Sequence, residues 1–290
     1  MNRRILHLCL NLGTVLALSA GVALAQSAPT TPTEDDMYCS SVISSDPMPH
    51  DIYVIAPEQA EHRITAKTPD LVTINRGSDQ GVAVGDQFLV TRPETDFVSQ
   101  QQYFKGQNRL LRDMGTMYVD LGQLRVVNVQ AKTAIAEVTR SCDWIQRDDI
   151  VVPFAERPAP TYHPDTQFDM FAPPDGKPVG MLVTTKHFGQ VDGFGNIAYV
   201  NLGSKQGLQV GDYVRIFRHE GETNEETYQD HNTTYEMYGF GTDHEHYTWK
   251  DLPREVLGEG IVVRVGPNAA TVLVTHARRE IFSGDDVEIE

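Results

Sequence analysis

The stretch of this chain densest in metal-ligating and aromatic side chains lies between Arg218 and Leu257. It holds His219, His231, His244 and His246, with Tyr228, Tyr235, Tyr238, Phe240, Tyr247 and Trp249 interleaved among carboxylates. His244-Glu245-His246 places both imidazoles on one side of an extended segment, a two-ligand element for Zn²⁺ or Cu²⁺. His231, Asp243 or Glu236 could supply a third ligand. The HExxH pattern of zinc hydrolases is absent, and solvated histidines on an acidic surface loop account for the same residues. Tyr and Trp amid polar residues also make binding anchors. Tyr228, Tyr235, Tyr238, Tyr247 and Trp249 are therefore candidate contacts for a protein partner or a glycan surface, unless they cap the chain's own core.

Other patterns carry no chemistry in their context. Gly193-Phe194-Gly195-Asn196-Ile197-Ala198 satisfies GxGxxA, but a dinucleotide site needs a strand before the glycines and a helix after them, and here a strand follows. No Walker lysine follows a Gly-rich turn, and no GxSxG elbow occurs. The sequence thus assigns no catalytic residue and no cofactor, and reads as a non-enzyme.

The elements that must position these residues begin after an export signal. Arg3 and Arg4 precede an apolar run from Ile5 to Val22, and Ala23-Leu24-Ala25 supplies a cleavage pattern, so the mature chain is expected to start at Gln26. No later stretch approaches the length of a membrane-spanning helix. The 290-residue chain has 24 basic and 40 acidic residues, a formal charge of −16. Cleavage removes two basic residues, leaving 22 against 40, or −18. That acidity argues against a nucleic-acid partner and against docking on anionic lipid. Ten acids against Lys250 and Arg254 fall between Glu220 and Glu255. Cys39 and Cys142 remain after cleavage, without CxxC spacing. In an oxidising compartment such a pair is expected to form a structural disulfide.

An internal repeat sets the architecture. Ile74-Asn75-Arg76-Gly77-Ser78-Asp79-Gln80-Gly81-Val82-Ala83-Val84-Gly85-Asp86 returns 126 residues later as Val200-Asn201-Leu202-Gly203-Ser204-Lys205-Gln206-Gly207-Leu208-Gln209-Val210-Gly211-Asp212. A second block, Leu121 to Asp149, matches Leu257 to Asp285 at an offset of 136. Duplication plus a loop insertion produces that arrangement. Gly77, Gly81, Gly85 and Asp86, with Gly203, Gly207, Gly211 and Asp212, read as structural turns. Short β-rich runs at corresponding places predict about six strands per copy, including a hairpin over 123–139 and its counterpart over 260–275. Helical spacing is confined to Gln100 to Met114, where Tyr103, Leu110, Leu111 and Met114 share a face. The fold class is all-β, two tandem related small barrels with long loops. The expected division is a signal peptide (1–25), a tether (26–50), a first barrel (51–155), a Pro-rich linker (156–178) and a second barrel (179–290) with an insertion at 219–256. The first copy's loop carries Lys105, Arg109 and Arg112 where the second is acidic. Either the copies bind different things or one docks on the other.

The pattern N-x-G-S-x-Q-G-x-x-V-G-D, followed by a strand and Arg92 or Arg218, resembles the repeats of exported bacterial proteins related to the C-terminal domain of flagellar assembly protein T. The pattern is also found in envelope proteins that carry LysM modules. This chain has two such units and shows neither the amino-terminal domains of the flagellar protein nor a clear LysM module. The resemblance implies non-catalytic SH3-like barrels used in assembly or binding in the cell envelope, periplasmic or at the surface. An envelope protein or cell-wall glycan is the partner class. The alternative from the residues themselves is a metal-binding protein using the His-rich loop.

Overall fold

The computed structural model describes residues 31–94, 106–163, 168–186, 189, 191–219 and 254–290. The first part contains α1 (Glu34–Tyr38), β1 (Val42–Ser44), β2 (Val54–Pro57), β3 (Thr65–Ala66), β4 (Leu71–Ile74), β5 (Gln87–Glu94), α2 (Gln107–Met114), β6 (Thr116–Val129), β7 (Ala134–Ser141), β8 (Ile145–Gln146) and β9 (Ile150–Pro153). The second contains β10 (Val179–Thr185), β11 (Val191–Asp192), β12 (Ile197–Val200), β13 (Tyr213–His219), β14 (Arg254–Val265), β15 (Ala270–Ala277), β16 (Ile281–Phe282) and β17 (Asp286–Ile289).

The second copy closes into an antiparallel barrel in the order β10-β12-β15-β14-β13-β17. The first copy has the same order, β2-β4-β7-β6-β5-β9. It closes through a Tyr53–Ile150 bridge and through Val54 N–H to Asp149 O (3.0 Å) and Val151 N–H to Ile52 O (2.9 Å). The tandem all-β architecture expected from the repeat is the one the chain adopts. Each barrel also carries a two-residue strand pair, β3 with β8 and β11 with β16, too short to leave a period in the sequence.

The repeated motif is a set of backbone clamps. Gly77 and Gly203 open a single 3₁₀ turn each, and a Cβ there would lie 2.2 Å from Gln130 O or 2.5 Å from Gly266 O. The Gln80 and Gln206 side chains accept the amides of those two glycines at 2.9 Å each. Gly81 and Gly207 end the turns at φ of 85° and 90°, a left-handed conformation that side chains disfavour. Asp86 and Asp212 accept the amides of Ala83 (2.9 Å) and Gln209 (2.7 Å). Asn75 and Asn201 bind the amides of Tyr53 (2.7 Å) and Met181 (2.6 Å) on the neighbouring strand. Arg92 and Arg218 each fork onto a buried carboxylate, Asp149 (2.7 and 2.8 Å) and Asp285 (2.7 and 2.7 Å) respectively.

The copies differ in what covers them. In β7, Ala134, Ala136 and Val138 point inward while alternate residues are partly exposed, the pattern of a sheet with one wet face. In the equivalent β15, Ala270, Val272 and Val274 fill the barrel, and Leu273 packs outward into an apolar seam between the barrels. The first unit contributes Met37, Ile43, Leu111, Met114 and Met117 to that seam, against Val183, Ile197, Tyr199, Ile261 and Val263 of the second. Leu111 and Met114 lie on α2, within the window where the sequence predicts a helix; Leu110 is partly buried beside them. One copy therefore docks on the other through its loop helix.

The segment expected as a tether is also part of the seam from residue 33 onward. Thr33 caps α1 in a reciprocal box with Asp36, Met37 is 2% exposed, and β1 adds to β6 with Val42 opposite Tyr118. A helix of five residues is too short to show a period, so its packing was invisible in the sequence. Tertiary contacts hold it.

Candidate functional site

The seam is a polar as well as an apolar junction. Its centre is Asp120, on β6 and 7% exposed. The carboxylate accepts the Ser41 amide (2.8 Å), Arg264 of β14 (2.9 and 3.1 Å) and Arg157 of the connector (3.3 and 3.4 Å). Burial lowers the Arg264 pKa, Asp120 works against that, and Arg157 adds to it. Ser41 takes a left-handed φ of 62°, with its amide on Asp120 and its carbonyl accepting the Thr271 hydroxyl (3.0 Å). Tyr199 donates to Ser40 O (2.9 Å), and burial pushes that phenol upward. The N-terminal segment is thus bonded simultaneously to both barrels.

Cys39 and Cys142 form the expected disulfide, which ties this segment to the end of β7. Two hollows flank it. One, of about 140 Å³, is lined by Ser41, Arg92, Met117, Asp120 and Tyr199. The other, of about 440 Å³, opens between α1 and the start of β12 and is lined by Asp35, Ser141, Thr185, Lys186, Asp192 and Asn196. Asp35 is already paired with Arg140.

Asp192 differs. It is 6% exposed, and its Oδ1 accepts the Gly193 amide at 2.9 Å. Its Oδ2 is buried without a hydrogen-bond partner among the described residues. Burial raises its pKa, while the Gly193 amide and the Asn196 side chain pull the other way. Strand register makes Ala66 its counterpart: Ala66 faces Ile145 in the first copy as Asp192 faces Ile281 in the second. The second copy has a carboxylate where the first has a methyl group, at a position the barrel can fill without charge. An unpaired buried carboxylate oxygen costs on the order of 1–3 kcal/mol, and the Asn196 side chain is the neighbouring donor among the described residues. Phe194, 76% exposed, and Val191, 44% exposed, stand at the same turn.

Of the residues singled out in the sequence, Gly77, Gly81, Asp86, Gly203, Gly207 and Asp212 sit in the clamps described above, and Gly85 and Gly211, at φ of 96° each, donate their amides to Val126 O and Val262 O at 2.9 Å. Tyr228, Tyr235, Tyr238, Tyr247, Trp249, His231, His244 and His246 lie outside the described residues. Asp192 and Asp120 belong to no motif in the sequence. The signal for Asp192 was in the repeat itself, since a 126-residue offset sets it against Ala66.

Residues 70–153 match the family model for the C-terminal domain of flagellar assembly protein T. That interval runs from the residue before β4 to the end of β9 and bears out the resemblance carried by the repeated motif. No curated protein matches the chain.

Proposed function

We propose that this chain is a non-enzymatic, exported scaffold or binding protein of the cell envelope. It holds a protein partner in an assembly of the flagellar kind, with a cell-wall glycan as the other partner class. The family match over the first barrel supports the envelope assignment, and the leader-like N-terminus and the disulfide agree with export. The observation that carries the binding role is the buried, half-satisfied Asp192 carboxylate in the seam cleft. In this reading a partner supplies an ammonium, guanidinium or amide donor to it, in addition to the Gly193 amide and the Asn196 side chain. The aromatic residues from Tyr228 to Trp249 remain candidate contacts in this reading.

Crosslinking in intact cells followed by purification of the tagged chain tests the proposal. The expected result is a discrete envelope-protein adduct that weakens at least about tenfold with Asp192→Ala, one lost charge-assisted hydrogen bond being roughly 1.5–3 kcal/mol. An adduct pattern indifferent to that change would remove the cleft from the interface.

A further inference from the structure

We propose that His163, Glu259 and Glu290 form a binding site for one divalent zinc ion, on the outer wall of the second barrel. The site is separate from the seam cleft and independent of the His-rich loop. Each residue arrives from a different element. Glu259 lies within β14, where its backbone pairs with Arg215 of β13. Glu290 follows β17 and donates its amide to Tyr213 O at 2.9 Å. His163 comes from the connector; its amide donates to the Tyr213 hydroxyl at 3.1 Å, and its ring lies 3.8 Å from the Tyr213 ring centre. Tyr213 therefore organises both flanking ligands.

One ligand atom from each of the three lies within 4.8 Å of the others, and His163 Nε2 is 3.7 Å from Glu259 Oε2. Zinc–nitrogen and zinc–oxygen bonds of about 2.0–2.2 Å in tetrahedral geometry put ligand atoms roughly 3.4 Å apart. Side-chain adjustments of an ångström or less would complete three ligands. One imidazole and two carboxylates suit zinc better than Mg²⁺ or Ca²⁺, which take all-oxygen sets.

The charge balance points the same way. Arg215 binds Glu290 at 2.7 Å and Glu288 at 3.0 Å, and Arg254 forks onto Glu288. Two guanidinium groups thus face three carboxylates, Glu259, Glu288 and Glu290, which leaves one negative charge among these residues for a cation.

The duplication supplies an independent control. At an offset of 136, Glu259 and Glu290 correspond to Gln123 and Phe154. In the first copy the ring stacked on Phe154 is Tyr38, at 5.7 Å. The barrel closes there without any of these ligands, so the fold does not require them.

Isothermal titration of the chelator-stripped full chain with ZnCl₂ is the test, with a melting curve for every variant. His231, His244 and His246 are first replaced by Ala in the background, to exclude the loop. The expected result is one equivalent of zinc bound at micromolar concentration or tighter, with a higher melting midpoint. Affinity should fall at least about tenfold in His163→Ala and in Glu259→Gln, each removing one ligand. Should either variant melt below the assay temperature, Glu290→Gln replaces it. Absence of binding to the background protein at 100 micromolar zinc (about tenfold above a 10 micromolar Kd) overturns the proposal. So does binding that survives all three ligand changes.

Discussion

Asp120→Ala should loosen the whole molecule although the side chain touches no outside ligand. The carboxylate is 7% exposed and the Arg157 and Arg264 side chains are 16% and 15% exposed, so both cations would be left mostly out of water without an anion. Breaking a fully buried pair costs about 3–5 kcal/mol. Residual solvent access at the two guanidinium groups favours the lower end, about 3 kcal/mol. The Ser41 amide also loses its acceptor, which keeps the figure from falling further. For a chain of this size that corresponds to roughly 6–12 °C in melting midpoint. Urea unfolding followed by circular dichroism measures it, at low salt and in 1 M NaCl. The loss should persist in salt, because buried pairs are screened much less than exposed ones. A double-mutant cycle with Arg264→Met should give a coupling energy of at least about 1 kcal/mol. A loss below about 1 kcal/mol, or one abolished by salt, would mean that solvent screens Asp120 and that apolar contacts alone hold the seam.

Two further outcomes follow from the same junction. Replacing Cys39 and Cys142 by Ala opens a loop with a sequence separation of 103. The chain-entropy relation gives about 4.7 kcal/mol for such a loop, and urea midpoints of the variant should fall accordingly, with proteolysis beginning in residues 31–50. Unchanged stability would show that the segment is held without the bond. Asp192→Asn should stabilise the protein at neutral pH. The folded carboxyl has a raised pKa, so the unfolded chain releases its proton first as pH rises. Wild-type stability therefore declines from its low-pH level as pH passes upward from the unfolded value through the folded value. The variant's advantage should be full above the folded pKa and vanish below the unfolded one. Melting curves between pH 3 and pH 8, roughly spanning the carboxylate range, measure it; an advantage that grows on acidification contradicts the account.

The barrels were legible because duplication writes each constraint twice. Asn75, Gln80 and Asp86 recur as Asn201, Gln206 and Asp212, each holding a backbone amide in both copies, and Gly77 and Gly81 recur as Gly203 and Gly207 in the turns between them. The hairpins were visible through alternation, and α2 through the spacing of Leu110, Leu111 and Met114. The seam was not legible, because its members are non-local. Met37 and Ile43 pack with Val263 and Leu273, and no local period reports contacts across more than 200 residues of chain. The sites followed a different rule. Asp192, Glu259 and Glu290 are positions where the copies disagree, with Ala66, Gln123 and Phe154 as their counterparts. Agreement between the repeats marks the fold; at these three positions the copies differ.

The central claim is that the two barrels, the N-terminal segment and α2 form one body that presents the cleft. Scanning calorimetry of the oxidised chain tests it most directly. A single transition, with calorimetric and van't Hoff enthalpies in a ratio near one, is the expected result. Two resolved transitions, or a ratio near two, would mean that the barrels unfold independently and that no shared site lies between them.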